Sequence, residues 1–410
     1  MENLILSKDL IERYSAYQAE LAEQSTEAVD GILEFEESPI KESEKSVEAQ
    51  DPLQEVNLGP QAARRKPFVP CYFVYGDSVN GNGNNVNLPS SLRPVFLPYG
   101  IDFPDGPTGR YSNGRNFDDV VAQAQAQAQE QFLGFDNFIP PYANASGRDI
   151  LQGVNYACAG AGILYRTGKQ LGNVATFTDQ LKQHQYVASE IAKILGDENS
   201  AAFHLKKCLY YVDLGNNDYL GNYFGFTNLS LQYTPELYAN LLVETYSQKM
   251  KDLYNYGARK MILSGANFIG CTAFVLAHSP PTFSQCIGYV NFAMRIFDDK
   301  LKSLVSDLNK HFADAKFTYQ DTSAIFQELL DNPLLYGFKV TTTACCGHGR
   351  KRGKISCQKY QIPCKNRDEY LFWDLAHPTE AVNVVAASKL FSDEAELFTY
   401  PFTISQLAQL

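Results

Sequence analysis

Apolar residues fall into short dense runs that break at glycine, asparagine or aspartate, with amphipathic stretches between them. Three of these runs end in polar or small-residue turns: Cys71-Tyr-Phe-Val-Tyr-Gly76 before Asp77-Ser78, Gly153-Val-Asn-Tyr-Ala-Cys-Ala-Gly160 before Ala161-Gly162, and Cys208-Leu-Tyr-Tyr-Val-Asp213 before Gly215-Asn-Asn217-Asp218. Two more are Arg259-Lys-Met-Ile-Leu-Ser-Gly265 and Lys316-Phe-Thr-Tyr-Gln-Asp321. Short runs of β-branched and aromatic residues bounded by turn formers predict strands buried on both faces. Helices are predicted over 116–132, 178–195, from Thr234-Pro235 onward, over 286–312 and over 379–391. Thr234 and Thr379 stand where caps are needed, and Pro235 suits a first helical turn. Strands alternating with helices predict an α/β domain whose parallel sheet is covered on both sides through right-handed crossovers.

Ahead of the first strand the pattern changes. Leu6, Leu10, Tyr14, Tyr17 and Leu21 keep a helical spacing across 4–24, but from Gln24 to Lys66 the chain is acidic and aperiodic. Residues 1–66 therefore read as an acidic leader, largely disordered with a short helix, and 67–410 as the folded domain. The net charge of −11 belongs wholly to residues 1–60, which hold fifteen acidic and four basic side chains; the rest carries thirty-one of each. A neutral domain offers no steering field for nucleic acid. No apolar stretch is long enough to span a membrane, and Asn3-Leu-Ile-Leu6 is too short for a signal peptide core. Six of nine cysteines fall between 271 and 364, a density that predicts disulfides and an oxidising compartment, and no Cys-x-x-Cys pair suggests a metal. Asn144-Ala-Ser and Asn228-Leu-Ser are glycosylation sequons suited to a secreted chain.

Ligand crevices of parallel sheets lie beyond the strand carboxyl ends, which directs attention to Ser78. A Gly-Asp-Ser triplet alone is weak evidence, because Asp-Ser after a strand is also a common helix cap. A serine nucleophile needs a base. Of the six histidines, 184, 204 and 311 lie in predicted helices among Lys and Gln and are expected at the surface. His377 differs, since Asp374 three residues earlier can orient its ring and balance its charge. Attack on a carbonyl also requires donors for the developing oxyanion. The amides of Ser78 and of the Ala159-Gly160 turn and the side chain of Asn217 project from the same predicted sheet edge. Gly160-Ala-Gly162 lacks the third glycine of a dinucleotide fingerprint, and Gly168-Lys169 fails the P-loop spacing. No cofactor is expected.

Gly76-Asp77-Ser78, the Ala159-Gly160 turn, Gly215-Asn-Asn217-Asp218 and Asp374-Leu-Ala-His377 resemble, in order and spacing, the four blocks of the SGNH or GDSL hydrolases. The plant GDSL esterase/lipase branch is matched by Pro98-Tyr-Gly-Ile-Asp-Phe-Pro, Pro107-Thr-Gly-Arg-Tyr-Ser-Asn-Gly-Arg115, Cys345-Cys-Gly and Phe372-Trp-Asp. The resemblance covers about 68–410. It implies a flavodoxin-like three-layer α/β/α fold with a five-stranded parallel sheet, secretion, and hydrolysis of an acyl ester or lipid. By matching blocks Ser78 is the nucleophile, His377 the base, Asp374 its orienting acid, and Ser78, Gly160 and Asn217 the oxyanion donors. An acyltransferase on the same site, or an impaired binding protein with the same fold, remains the alternative. Departures from the pattern are Val79 for leucine, Gly81 for aspartate, Cys158 for serine and the Gln-Ala tract around 123–129.

Overall fold

The computed structural model describes residues 67–123, 132–225, 227, 229–283 and 285–410. The acidic segment 1–66, most of the Gln-Ala tract and Asn228 lie outside the described residues. Four strands, β1 (Tyr72–Gly76), β2 (Leu209–Asp213), β3 (Lys260–Ser264) and β4 (Lys316–Gln320), pair in parallel in that order. Their registers are in phase, so Gly76, Asp213, Ser264 and Gln320 stand side by side and the four strands end level. Every residue of β1 and β2 is buried, as runs apolar on both faces require.

Alternation decides which layer each side chain joins. Tyr72, Val74, Leu209, Tyr211 and Ile262 meet one layer, formed by α1 (Phe117–Ala122), α7 (Thr322–Asp331), α8 (Glu380–Phe391) and α9 (Ile404–Gln409). Phe73, Tyr75, Tyr210, Val212, Met261, Leu263, Phe317 and Tyr319 meet the other. That second layer holds α2 (Phe177–Leu195), α3 (Glu198–Leu205), α4 (Pro235–Asn255) and α6 (Gly288–His311), while the short α5 (Ala273–Ala277) lies beyond β3. Asn116 and Thr176 form capping boxes with Asp119 and Asp179, and Thr234 and Thr379 cap their helices as predicted. The result is the three-layer α/β/α arrangement.

Two elements differ from the sequence reading. The run 153–160 is not a regular strand. Val154 to Cys158 does follow the free edge of β1, with Val74 N donating to Val154 O (3.1 Å), Tyr156 N to Val74 O (2.8 Å) and Cys158 N to Gly76 O (3.1 Å). The next rung, from Gly76 N to Tyr156 O, is missing because Gly76 N donates instead to Gln180 Oε1 (3.1 Å). The fifth strand is instead β5 (Thr399–Tyr400), antiparallel to β4 and too short to leave a sequence pattern. The helix expected over 116–132 stops at Ala122, because Gln123 turns extended and bridges to Phe135.

With the 154–158 strip included, the spatial order is strip, β1, β2, β3, β4. The chain leaves β1 for one side and then crosses to the other, so β1 is the topological switch point and its carboxyl end opens a crevice. Cysteines tie the loops: Cys71–Cys208, Cys271–Cys286, Cys345–Cys364 and Cys346–Cys357, leaving Cys158 free and buried. The first joins the residues just before β1 and β2 across 137 positions, a closure that contributes about 5 kcal/mol in a chain-entropy account.

Candidate active site

Ser78 stands two residues past the end of β1. Its Oγ lies 2.8 Å from His377 Nε2, although 299 residues separate them. The other ring nitrogen, Nδ1, faces Asp374 at 2.8 Å from Oδ1 and 3.0 Å from Oδ2. With Nδ1 protonated toward Asp374, Nε2 is free to accept from the serine hydroxyl. A tight turn holds this pair: Asp374 Oδ1 accepts from the amides of Ala376 (3.0 Å) and His377 (2.9 Å), and Trp373 N donates to His377 O (2.8 Å). The remaining Asp374 oxygen accepts from Tyr99 OH (2.7 Å). Tyr111 lays its ring 4.5 Å from that of His377. Tyr99 and Tyr111 come from the Gly/Pro-rich stretch after residue 97, whose motifs carry the family resemblance without giving either tyrosine a role.

Burial would raise the Asp374 carboxyl, but the His377 ring and the hydrogen bonds from His377, Ala376 and Tyr99 outweigh it and hold it below its usual value. For His377 burial acts downward, and the Asp374 and Asp77 carboxylates more than compensate, so its pKa is raised. Asp77 is pushed up to about 6 by burial, against the Val79 amide and the His377 ring.

Ala159 and Gly160 line the same cavity as Ser78. Gly160 has φ of +85°, a conformation that favours glycine, and a Cβ there would sit 2.7 Å from Leu92 Cδ1 and 3.3 Å from Val174 Cγ2, so both side chains would have to shift. The Ala159 amide is taken by Asn85 Oδ1 (2.7 Å), whereas the Ser78 and Gly160 amides have no partner among the described residues. Asn217 lies at the start of the turn after β2. Its Nδ2 donates to Asp77 Oδ2 (3.1 Å) and Ala161 O (2.9 Å), so a third acceptor must compete for one of its two protons. Next to it, Asp218 accepts from the amides of Ile163 (2.7 Å) and Leu164 (3.1 Å) and from Thr167 Oγ1 (2.6 Å), fastening the 160–167 turn to β2.

The run Asn80–Asn85 does similar work from the other side. Asn84 Nδ2 donates to Asn155 O and Ala157 O, Asn85 grips Ala159 through both its N–H and its carbonyl, and Asn155 Nδ2 and Asn116 Nδ2 both donate to Asn80 O. Gly81 sits inside this net with its carbonyl near Asn116 Nδ2 (3.4 Å), and a Cβ there would press on Asp77 O at 3.2 Å. The loop is thus held by its asparagines.

A cavity of about 330 Å³ opens from Ser78 and His377. One end is walled by Leu92, Leu171 and Leu220; the other runs under α7 and α8 past Ile325, Phe326, Leu329 and Val382. Most of its lining is apolar, but its floor includes Asp213 and Gln320, the level ends of β2 and β4. Asp213 Oδ1 and Gln320 Oε1 have no partner among the described residues. Burial, with the neighbouring Asp77 and Asp118 carboxyls, raises Asp213 well above its usual range. The sequence reading did not single out these two residues; a polar residue at the end of an otherwise apolar strand is the signal that would have found them.

Other predicted positions fall as follows. His184 and His204 are not at the surface. His184 is fully buried among Phe73, Tyr75, Tyr156 and Tyr210, and burial lowers its pKa to about 3, so it is a neutral core residue. Half-buried His204 packs beside the Cys71–Cys208 bridge and contacts Leu151 O at 3.0 Å. Cys71, His204 and Cys208 are close enough to resemble a metal set, yet both sulfurs are spent in the disulfide. Burial pushes the Cys158 thiol up to about 11, which leaves it inert. Asn144 is exposed. No described helix is long and apolar enough to cross a membrane.

Comparison with known proteins gives a consistent result. The family model GDSL-like Lipase/Acylhydrolase matches residues 72–390. Arabidopsis thaliana GDSL esterase/lipase At1g29670 is 48% identical over 350 residues, 85% of this chain and 94% of its own length. GDSL esterase/lipase At4g18970 of the same plant is 48% identical over 357 residues (87% and 97%), and GDSL esterase/lipase 7 is 36% identical over 356 (85% and 95%).

Proposed function

Since the chain belongs to the GDSL-like lipase/acylhydrolase family and is with it a carboxylic ester hydrolase acting on a small-molecule ester or lipid, we propose that it works through a serine acyl-enzyme at Ser78. The observation that carries this reading is the unbroken hydrogen-bonded line Ser78–His377–Asp374. Ser78 Oγ attacks the ester carbonyl carbon as His377 Nε2 takes its proton, while Asp374 keeps the ring oriented and balances the imidazolium. The carbonyl oxygen becomes an oxyanion, and the two unpartnered amides of Ser78 and Gly160 supply donors already in place. Asn217 adds a third donor by giving up its bond to Asp77.

Collapse of the tetrahedral species expels the alcohol, which takes its proton from His377 and leaves the acyl group on Ser78 Oγ. Water then attacks that ester, His377 accepts the water proton, and the acid departs with Ser78 restored. The apolar cavity beside Ser78 suits the hydrocarbon part of the acyl group, and its volume lies in the range of small-ligand pockets. Four disulfides and the exposed Asn144 support secretion into an oxidising compartment, with Asn144 as a glycosylation site.

The test is labelling by a fluorophosphonate, which phosphonylates an activated serine. Wild-type protein labels and Ser78→Ala does not. Equal labelling of both, or none of a folded wild type, would falsify the nucleophile assignment.

A further inference from the structure

The segment 332–367 is free of acidic residues, and its second half holds Arg350, Lys351, Arg352, Lys354, Lys359, Lys365 and Arg367. Four of these seven cations serve the fold. Arg350 donates to Ser279 O, Arg352 to Cys345 O (2.7 Å), Lys351 to Thr342 Oγ1 (2.8 Å), and Arg367 pairs with Asp102 at 2.5 Å. Lys354, Lys359 and Lys365 are exposed and have no ion pair among the described residues. Interleaved with them are Ile355, Tyr360 and Ile362, which are 53%, 72% and 89% exposed. Single exposed apolar residues are ordinary, but three on one short loop alternating with lysines that lack ion pairs, Lys359 lying over the Tyr360 ring at 5.0 Å, are not.

This loop is built to hold its shape. Cys345–Cys364 and Cys346–Cys357 close it, and Tyr360 N donates to Leu97 O (2.7 Å). Tyr360 has φ of +62°, an unfavourable conformation for a bulky residue that the surrounding bonds enforce while its ring stands in solvent. Nothing in the ester chemistry uses that side chain. The base of the loop is sewn to the segment ahead of the acid: Cys345 N donates to Phe372 O (2.9 Å) and Cys346 N to Trp373 O (2.8 Å). Its cystines pack with Trp373 and Tyr99, the tyrosine that bonds Asp374.

We propose that this stapled loop is an interfacial anchor that docks the protein onto an anionic lipid surface. Ile355, Tyr360 and Ile362 would enter the headgroup boundary while Lys354, Lys359 and Lys365 meet anionic headgroups, the division of labour seen wherever apolar and basic side chains alternate at a membrane surface. An acidic polysaccharide would engage the lysines and the tyrosine but leave both isoleucines in water, so the lipid fits the whole set. Because the loop shares its base with the Asp374 turn, docking would hold the ester-cleaving site beside the surface that carries its substrates. The anchor stands apart from the nucleophile assignment, and its test does not depend on it.

The experiment is co-sedimentation of the full-length protein with phosphatidylcholine vesicles with and without phosphatidylglycerol. Binding is expected to the anionic vesicles and to fall as salt screens it. Lys354→Glu/Lys359→Glu/Lys365→Glu should lower partitioning by on the order of 10²-fold, from about fivefold per lysine. Ile355→Ser/Tyr360→Ser/Ile362→Ser should lower it at least about tenfold. Both variants should hydrolyse a water-soluble short-chain ester at the wild-type rate, which shows that they are folded. Three outcomes overturn the proposal: no binding to anionic vesicles, undiminished binding by the serine variant, or binding to polygalacturonate with none to vesicles. Failure to sediment with the loop lysines protected from amine acylation in the free protein also overturns it, and identifies the acidic residues 1–60 as the loop's occupant.

Discussion

Gly160→Ala is the substitution for which the structure gives the fullest forecast. An alanine at φ of +85° bears about 1–2 kcal/mol of backbone strain. Its methyl would also stand 2.7 Å from Leu92 Cδ1 and 3.3 Å from Val174 Cγ2, well inside the contact distance of about 3.5–4.0 Å. Leu92 is half-buried and can retreat, so the crowding adds about 1–2 kcal/mol, at the low end for overpacking. Together these predict a loss of about 2–4 kcal/mol in chemical denaturation. The larger consequence is for rate. Relief of the clash rotates the 159–160 peptide, and an oxyanion donor works only when about 2.7–3.1 Å from the developing charge, so kcat on a soluble short-chain ester should fall by about 10²–10³ with KM little changed. Adding Leu92→Ala removes the closest contact but not the positive φ, and should restore part of the stability. Wild-type kcat in a Gly160→Ala protein that has lost the forecast stability would refute the role given to this amide. Unchanged stability would refute the steric reasoning itself.

The remaining predictions concern the same machinery. Because the base must be neutral and its pKa is raised, kcat/KM should climb with pH through a value above the ordinary histidine pKa of 6.5; in Asp374→Asn the climb should move to lower pH and the plateau should drop. Coincident pH–rate profiles would remove the electrostatic part of the argument. The same raised pKa means that the stability contributed by the His377–Asp374 pair is fully present below pH 6.5 and is lost as pH rises through the folded-state value, while the depressed Asp374 contributes above 3.8 and loses its share as pH falls below that. Asn217→Ala should lower kcat by about 10²–10³, and an effect confined to KM would make it a ground-state contact. Tyr99→Phe strips a hydrogen bond from a buried carboxylate and should cost about 1.5–3 kcal/mol in denaturation, with Tyr99→Leu no better. Unreduced, denatured protein should titrate a single thiol, Cys158; nine thiols would contradict the four bridges.

The strands β1 to β4 were legible because burial on both faces writes continuous apolar runs. Ser78, Asp374 and His377 were legible because a strand end and a one-turn acid–base pair are local patterns. What the pattern could not report is partnership at long range. The 154–158 strip reads as a strand because its residues are just as buried, and only the distant Gln180 side chain, by accepting from Gly76 N, shows where the ladder is broken. His184 sits among polar neighbours in sequence and among four aromatic rings in space. Tyr99 and Asn85 act across 275 and 74 residues, and nothing near either in sequence marks its target. Asp213 and Gln320 look like strand ends until the level register shows that they share one cavity floor.

The 299 residues between Ser78 and His377 also set a clock. During synthesis at about 5–20 residues per second, the serine exists for about 15–60 s before its base has been made. The turn bearing His377 is then fixed by α8, and the sheet edge closes with β5 only twenty-odd residues later. Until that moment Ser78 lacks the proton acceptor that the proposed mechanism gives it. Under the proposed mechanism, the delay in arming Ser78 follows from chain order alone.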